Sequence, residues 1–255
     1  MDILSYNKQS WDKQVLNKNM WTIPVSPEEI EKARTGIFQI VLTPEKPVPM
    51  DWFPQPLKDK KVLALASGGG QQAPILAAAG ALVTVFDNSP LQLAQDKLVA
   101  EQNNLSLETI EGDMADLSVF ADQTFDFIFH PCSNCFVPDI KKVWQEAYRV
   151  LKKGGTMVSG ISNPINFIVD PELEEKGVLQ LKYKVPYSDM TSLDEEERKR
   201  YTDKNEPLSF GHSLEDQIGG QINAGFSIIG FYEDGWQHTP LSKHMNGFIA
   251  TRAIK

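Results

Sequence analysis

Short apolar runs and amphipathic stretches take turns along most of the chain from Lys61 onward. "KVLALA" (61–66), "LVTVFD" (82–87), "FDFIFHP" (125–131) and "TMVSGIS" (156–162) are continuous apolar segments of strand length. "LETIEGDM" (107–114) is a weaker strand that ends in acids. Helical patterns lie between them. "APILAAAG" closes at Gly80, and "NSPLQLAQDKLVAEQNN" opens with Ser89 as cap and Pro90 in the first turn, with Leu91, Ala94 and Leu98 on one face. "PDIKKVWQEAYRVLKKGG" (138–155) has Val143, Ala147, Val150 and Leu151 on its apolar side and two glycines to close it. "SIIGFYED" and "MNGFIATRAIK" predict two final strands. Strand and helix in alternation predict an α/β, doubly wound, mostly parallel sheet with helices on both faces.

The flanks differ. Residues 1–57 predict a helical arm or lid and a connector: Tyr6, Trp11 and Trp21 stand among polar residues, and "SPEEIEKAR" carries a capping box of Ser26 and Glu29 around Pro27. "TPEKPVPMDWFPQP" (43–56) holds too many prolines for a regular element. Residues 58–255 form the main domain. Within it, 163–212 break the rhythm with the charged run "DEEERKRYTDKNE" and with "VLQLKYKVPY", which alternates like an exposed strand. This segment is expected to be an insertion over the ligand end. "HSLEDQIGGQINAGF" then predicts a helix with Ser213 as cap, Asp216 three positions on and Gly225 as its stop.

Charge narrows the partners. A net charge of −9 and a pI of about 5.0 have the wrong sign for a surface that wraps phosphate backbones. Two cysteines provide no disulfide framework, the N-terminus has no apolar signal core, and no apolar run reaches the roughly 18 residues of a membrane span. A cytoplasmic protein without nucleic-acid or membrane partners is expected. The sequence leaves the oligomeric state open.

The candidate chemistry begins where the first strand ends in Gly68, Gly69 and Gly70, which let the backbone turn tightly or lie against a ligand. Gly68-Gly69-Gly70-Gln71-Gln72-Ala73 fits G-x-G-x-x-A. Asp87, 19 residues after Gly68, ends the second strand. Its two carboxylate oxygens suit the two hydroxyls of a ribose. NAD and any adenosine cofactor meet those needs equally.

"EGDM" (111–114) after the third strand makes the likeness specific. With the glycine loop, Asp87, "FDFIF" and "EAYRVLKKGGTMV", the chain resembles class I S-adenosylmethionine-dependent methyltransferases over roughly residues 58–163 and 212–255. The small-molecule, type 11-like branch is the most similar. The resemblance implies a Rossmann-like sheet whose last strand, "FIATRAIK", is antiparallel. It also implies a cofactor, S-adenosyl-L-methionine, released as S-adenosyl-L-homocysteine, and a small-molecule methyl acceptor.

By that resemblance Ala66, Ser67, Gly68, Gly70 and Gln71 wrap the amino-acid end of the cofactor, and Asp87 with Asn88 holds the ribose. Gly112 and Asp113 meet the adenine, Met114 covers its ring, and His130 stands in the wall facing the transferred methyl. Tyr6 and Trp11 in the arm, Ser133 after the fourth strand and His212 before the late helix are candidate acceptor contacts. Tyr6 and Trp11 have anchoring of the arm to the body as their alternative, His212 a capping or packing role, and His130 local satisfaction at a strand end.

Two departures stand out. Ala64 occupies a position where the family commonly has an acid, and Ala66 replaces the first glycine, a change that suits a negative φ. No catalytic residue is assigned. Cys132-x-x-Cys135 with the scattered His130, His212, His238 and His244 does not make the four-ligand set of a zinc site, so no metal is expected. Two alternatives remain open: an NAD-linked oxidoreductase, from the shared glycine–acid pattern, and a non-catalytic S-adenosylmethionine-binding protein, from the altered loop.

Overall fold

The fold comes from a computed structural model that describes residues 2–237 and 239–255; His238 lies outside the described residues. The strands are β1 (Lys61–Leu65), β2 (Leu82–Asp87), β3 (Leu107–Glu111), β4 (Phe125–His130), β5 (Leu151–Ser162), β6 (Tyr187–Ser188), β7 (Phe210–Gly211), β8 (Ser227–Asp234) and β9 (Phe248–Ile254). The helices are α1 (Ile3–Leu16), α2 (Pro27–Arg34), α3 (Gln72–Ala78), α4 (Pro90–Gln102), α5 (Ile140–Val150), α6 (Pro171–Glu175), α7 (Glu195–Asp203) and α8 (Gly220–Ala224). Seven strands form one sheet in the order β3-β2-β1-β4-β5-β9-β8, with β9 antiparallel to both neighbours and the other ladders parallel. The Rossmann-like expectation, antiparallel strand included, is met.

The strand period of two divides the core into layers. Val62, Ala64, Val85, Phe127 and Phe129 face one side, where α2, α3 and α4 and the connector's Phe53 cover them. Leu63, Leu65, Ile128 and Met157 face the other, against Val143, Trp144, Ala147 and Val150 of α5. Phe127 is fully buried, and its truncation to alanine costs about 3–5 kcal/mol through lost burial and a residual cavity.

Local signals were mostly obeyed. Ser26 and Glu29 form the capping box of α2, and Ser89 Oγ accepts from Gln92 N at 3.1 Å to cap α4. α5 ends at Val150, ahead of the two glycines, because Leu151 already pairs with Phe125 and the following residues bulge before Thr156 rejoins beside Phe127. The predicted late helix starts as a π-helical turn, Glu215–Gly219, runs on into α8, and stops at Gly225 with φ +111°. "VLQLKYKVPY" is not a strand: apart from a bridge at Leu181 it pairs only through Tyr187 in the two-residue β6. No helix among the described residues is long and apolar enough to cross a membrane.

β1 lies between β2 and β4, so the chain leaves it in opposite directions on its two sides, and the carboxyl ends open a crevice there.

Candidate active site

That crevice is a cavity of about 540 Å³. The loops after β1, β2, β3 and β4 form its floor; α1, Trp21 and residues Trp236 and Phe248 close it.

Asp87 organises the floor. Its Oδ2 accepts from Gly68 N at 2.9 Å, its Oδ1 from Ser89 N at 3.0 Å, and its backbone carbonyl from Gly112 N at 3.0 Å. Three loops are thus tied to one residue. Burial pushes the Asp87 carboxyl above the ordinary carboxylate range, while the amides of Ser89, Gly68 and Asn88 pull it back. Each oxygen keeps acceptor capacity for a ligand hydroxyl. Asp113 also lines the cavity and is fixed by Ala115 N on its Oδ1 at 2.9 Å. Gly112 lies so close over Phe86 that a Cβ there would sit 2.2 Å from the ring's Cζ.

The glycine loop is held from two other sides. Ala66 N donates to Phe86 O at 2.7 Å, and Ser133 Oγ donates to Ala66 O at 2.7 Å. Ala66 has φ +47°, so the expectation of a negative φ is corrected: the alanine sits in the left-handed region that glycine favours. From the arm, Val25 N donates to Gly70 O at 2.8 Å, and Gln71 Nε2 donates to Met20 O and Ile23 O, both at 3.0 Å.

Of the residues singled out from sequence, Ala66, Ser67, Gly68, Gln71, Asp87, Asn88, Gly112, Asp113, Met114, Trp11 and Ser133 share the cavity wall. Four others do not. Gly70 (φ +72°) turns beneath α4, where a Cβ would sit 3.0 Å from Gln95 O, so its requirement is helix packing. His130 is fully buried and belongs to the α5 face by strand parity; its Nδ1 lies 2.8 Å from Leu65 O and its Nε2 2.7 Å from Asn134 Oδ1. Tyr6 anchors α1 by donating to Glu206 O at 3.1 Å, and His212 Nε2 lies 2.9 Å from Val137 O behind the wall. None of residues 163–212 reaches the cavity; the segment braces α1 instead, with Asn7 bonded in both directions to Leu208.

Several lining residues were not singled out as binding candidates. Leu4 and Asn7 lie in a polar-looking helix, Trp236 and Phe248 flank a long loop, and Gln92 belongs to α4. Only the aromatic residues carried a signal, as bulky apolar groups beside glycine or polar turns. Cys132 and Cys135 also line the cavity, and burial pushes the Cys132 thiol well up and the Cys135 thiol to about 12. Both are neutral thiols at physiological pH. Among the described residues no cluster of potential metal ligands is present.

Comparison with known proteins decides the family. The chain is 51% identical over 253 residues to the uncharacterized methyltransferase YbaJ of Bacillus subtilis (strain 168), covering 99% of this chain and 98% of that protein. Residues 63–159 match the methyltransferase domain model. This chain is a class I S-adenosylmethionine-dependent methyltransferase.

The methyltransferase shares its fold with a Mesorhizobium loti S-adenosylmethionine-dependent methyltransferase at a TM-score of 0.62 and 15% identity, over 80% of this chain and 94% of that one. A Burkholderia thailandensis 1,6-didemethyltoxoflavin-N1-methyltransferase with bound S-adenosylhomocysteine aligns at a TM-score of 0.58 and 11% identity, over 98% and 88%. The sterol 24-C-methyltransferase ERG6 of Saccharomyces cerevisiae is 33% identical over 90 residues, which is 34% of this chain and 23% of that enzyme. S-adenosylmethionine is the methyltransferase's cofactor. The cavity's own chemistry fits it: the acids Asp87 and Asp113 line it, and two buried polar atoms of lining residues, Ser67 Oγ and Gln92 Oε1, have no protein partner.

Proposed function

We propose that this methyltransferase acts on a small, largely apolar acceptor enclosed with the cofactor in the cavity beneath α1. The observation that carries this is the division of one cavity wall. The carboxylates and glycine loop occupy one part, and Leu4, Trp11, Phe136, Val137, Trp236 and Phe248 supply an apolar remainder. Apolar walls with a few placed polar groups are the general form of small-molecule sites.

In this reading Asp87 and Asn88 hold the ribose, Asp113 the adenine edge and Met114 its face, while the backbone from Ala66 to Gly68 receives the amino-acid end. The cofactor supplies an activated methyl group on a sulfonium, already a good leaving group. The protein's task is then to align the nucleophile and exclude water. Holding two reactants in a near-attack arrangement is worth about 7–11 kcal/mol of barrier.

His130 and His212 do not line the cavity, and the Cys132 and Cys135 thiols stay protonated. The side chains on the wall able to take a proton from an acceptor are then the carboxyl groups, Asp2, Asp113 and Asp139 among them. The proposal assigns no base to any of them. An NAD-linked oxidoreductase would share the glycine–acid geometry, but membership of the methyltransferase family assigns the chemistry to methyl transfer.

The test is transfer of labelled methyl from S-adenosylmethionine into a bacterial metabolite extract divided into aqueous and organic fractions. The proposal expects label in the organic fraction, lost in Asp87→Ala. Label confined to protein, nucleic acid or the aqueous fraction contradicts it. Donor binding without any transfer supports the binding-only alternative.

A further inference from the structure

The charged residues of the cavity wall are unevenly placed. Among the described residues they are Asp2, Asp87, Asp113, Asp139 and Lys142. Asp87 ends β2 and Asp113 follows β3. Lys142 pairs with Asp139 and shares a shallow surface depression with Ala115 of the loop after β3, and Asp2 caps α1. The ends of β5 and β9 and the connector at residues 41–44 bring no charge to the wall. At about 4.8 Å per strand, β5 stands about 14 Å from β2, so a cofactor held at Asp87, as proposed above, leaves this far end to the acceptor.

The far end is aromatic. Phe248 pairs across the ladder with Ser162, Trp236 packs on Phe248 with ring centroids 6.4 Å apart, and Trp21 meets Trp236 edge to face at 5.8 Å. All three rings are half-buried and line the cavity. They form a row from the end of β5 to the glycine loop, where Trp21 O would lie 3.0 Å from a Cβ on Gly69. Ser162, at the other end of the row, also lines the cavity. Its Oγ accepts from Asn166 Nδ2 at 3.0 Å, and its own hydrogen has no acceptor among the described residues.

We infer that the methyl acceptor is an uncharged, flat ring compound that lies along Phe248, Trp236 and Trp21 and takes a hydrogen bond from Ser162 on a carbonyl oxygen or ring nitrogen. Aromatic faces suit flat rings and organic cations alike. Charge separates the two: an ion of either sign would give up water at this end without a side chain of opposite charge to meet it. Trp236, the middle ring of the row, is then a specificity-determining residue.

The experiment is equilibrium dialysis of three similar probes against the full chain saturated with S-adenosylhomocysteine. The probes are naphthalene-2-carboxamide, which is uncharged, naphthalene-2-carboxylate and 2-naphthylmethylammonium. The amide should bind about tenfold more tightly than either ion. Trp236→Ala should weaken the amide about tenfold and leave the affinity for S-adenosylhomocysteine unchanged. Ser162→Ala should weaken the amide but not unsubstituted naphthalene. The inference is overturned by an ion that binds as tightly as the amide, by no measurable binding of the amide, or by an amide affinity unchanged in either variant. Equal weakening of the amide and S-adenosylhomocysteine in Trp236→Ala also overturns it, since the ring would then serve the fold. The ranking of the three probes uses the wild type alone, so it decides the matter even where Trp236→Ala does not fold. A wild type that fails to bind S-adenosylhomocysteine overturns the cofactor reading instead, whatever the probes do.

Discussion

Asp12 Oδ1 receives Ser89 Oγ at 2.7 Å and Leu91 N at 3.2 Å, so a helix of the N-terminal arm reinforces the cap of a helix in the sheet domain. Ser89 in turn follows directly on the loop fixed by Asp87. A Lys8–Glu111 ion pair and an edge-to-face contact of Trp11 with Phe136, ring centroids 5.1 Å apart, add two more attachments of α1 over the cavity. The arm is held across three strand ends.

Asp12→Ala should cost about 1 kcal/mol of stability, the scale of a lost capping interaction, because Ser89 Oγ still caps Gln92 N by itself. Denaturant unfolding measures that loss. Hydrogen exchange should show it concentrated in α1, and uniform acceleration across the sheet would contradict the lid attachment.

Ala66→Gly should stabilise the fold by about 0.5–1 kcal/mol. The alanine pays for a left-handed backbone at φ +47°, and relief of that strain exceeds the entropy glycine adds to the unfolded chain. A thermal melt checks the sign, and a lower midpoint would contradict it.

Gly112→Ala should act in the opposite direction. A Cβ 2.2 Å from Phe86 Cζ forces a buried ring to move, which costs about 1–3 kcal/mol and displaces the loop bonded to the Asp87 carbonyl. Unfolding and ligand titration should both register it.

Cys132 and Cys135 should resist alkylation. With the Cys135 thiol pushed to about 12, its thiolate fraction at pH 8 is roughly a thousandfold below that of an exposed cysteine. Both side chains are half-buried on the cavity wall, so mass spectrometry after iodoacetamide treatment tests the raised thiol pKa itself, and rapid labelling of the native protein would contradict it.

Stability should respond to His212 in acid. Burial lowers its pKa in the fold, so between that value and about 6.5 the unfolded chain binds more protons. Its contribution is complete above about 6.5 and is lost as pH falls through that window. Asp87 and Asp96, with raised values, act in the opposite sense as pH falls. The difference between wild type and His212→Asn isolates the histidine: it should narrow from pH 7 to pH 5 in urea unfolding, and a constant difference would contradict the assignment.

How much of this was legible follows from which forces are local. β1, β2, β4 and their helices announced themselves because buried parallel strands are continuous apolar runs and caps are short-range hydrogen bonds. Asp87 and Asp113 were legible by position, since strand ends next to glycine place side chains at the crevice. His130 was a candidate through its backbone; its ring is satisfied locally by Leu65 O and Asn134 Oδ1, as the alternative reading expected, because one step of strand parity sends it toward Trp144. Leu4, Asn7 and Trp236 were illegible because their placement depends on contacts between distant segments. The alternation of "VLQLKYKVPY" misled for a related reason: a strand needs a partner edge, and β7 offers only two residues.

In the proposed reading Asp87 is the carboxylate around which the cofactor's ribose is held. Calorimetric titration of S-adenosylhomocysteine into wild type and Asp87→Ala is the test. Wild type should bind, and the variant should lose about 1–3 kcal/mol, the scale of hydrogen bonds to a charged group. Equal dissociation constants for the two folded proteins would contradict it.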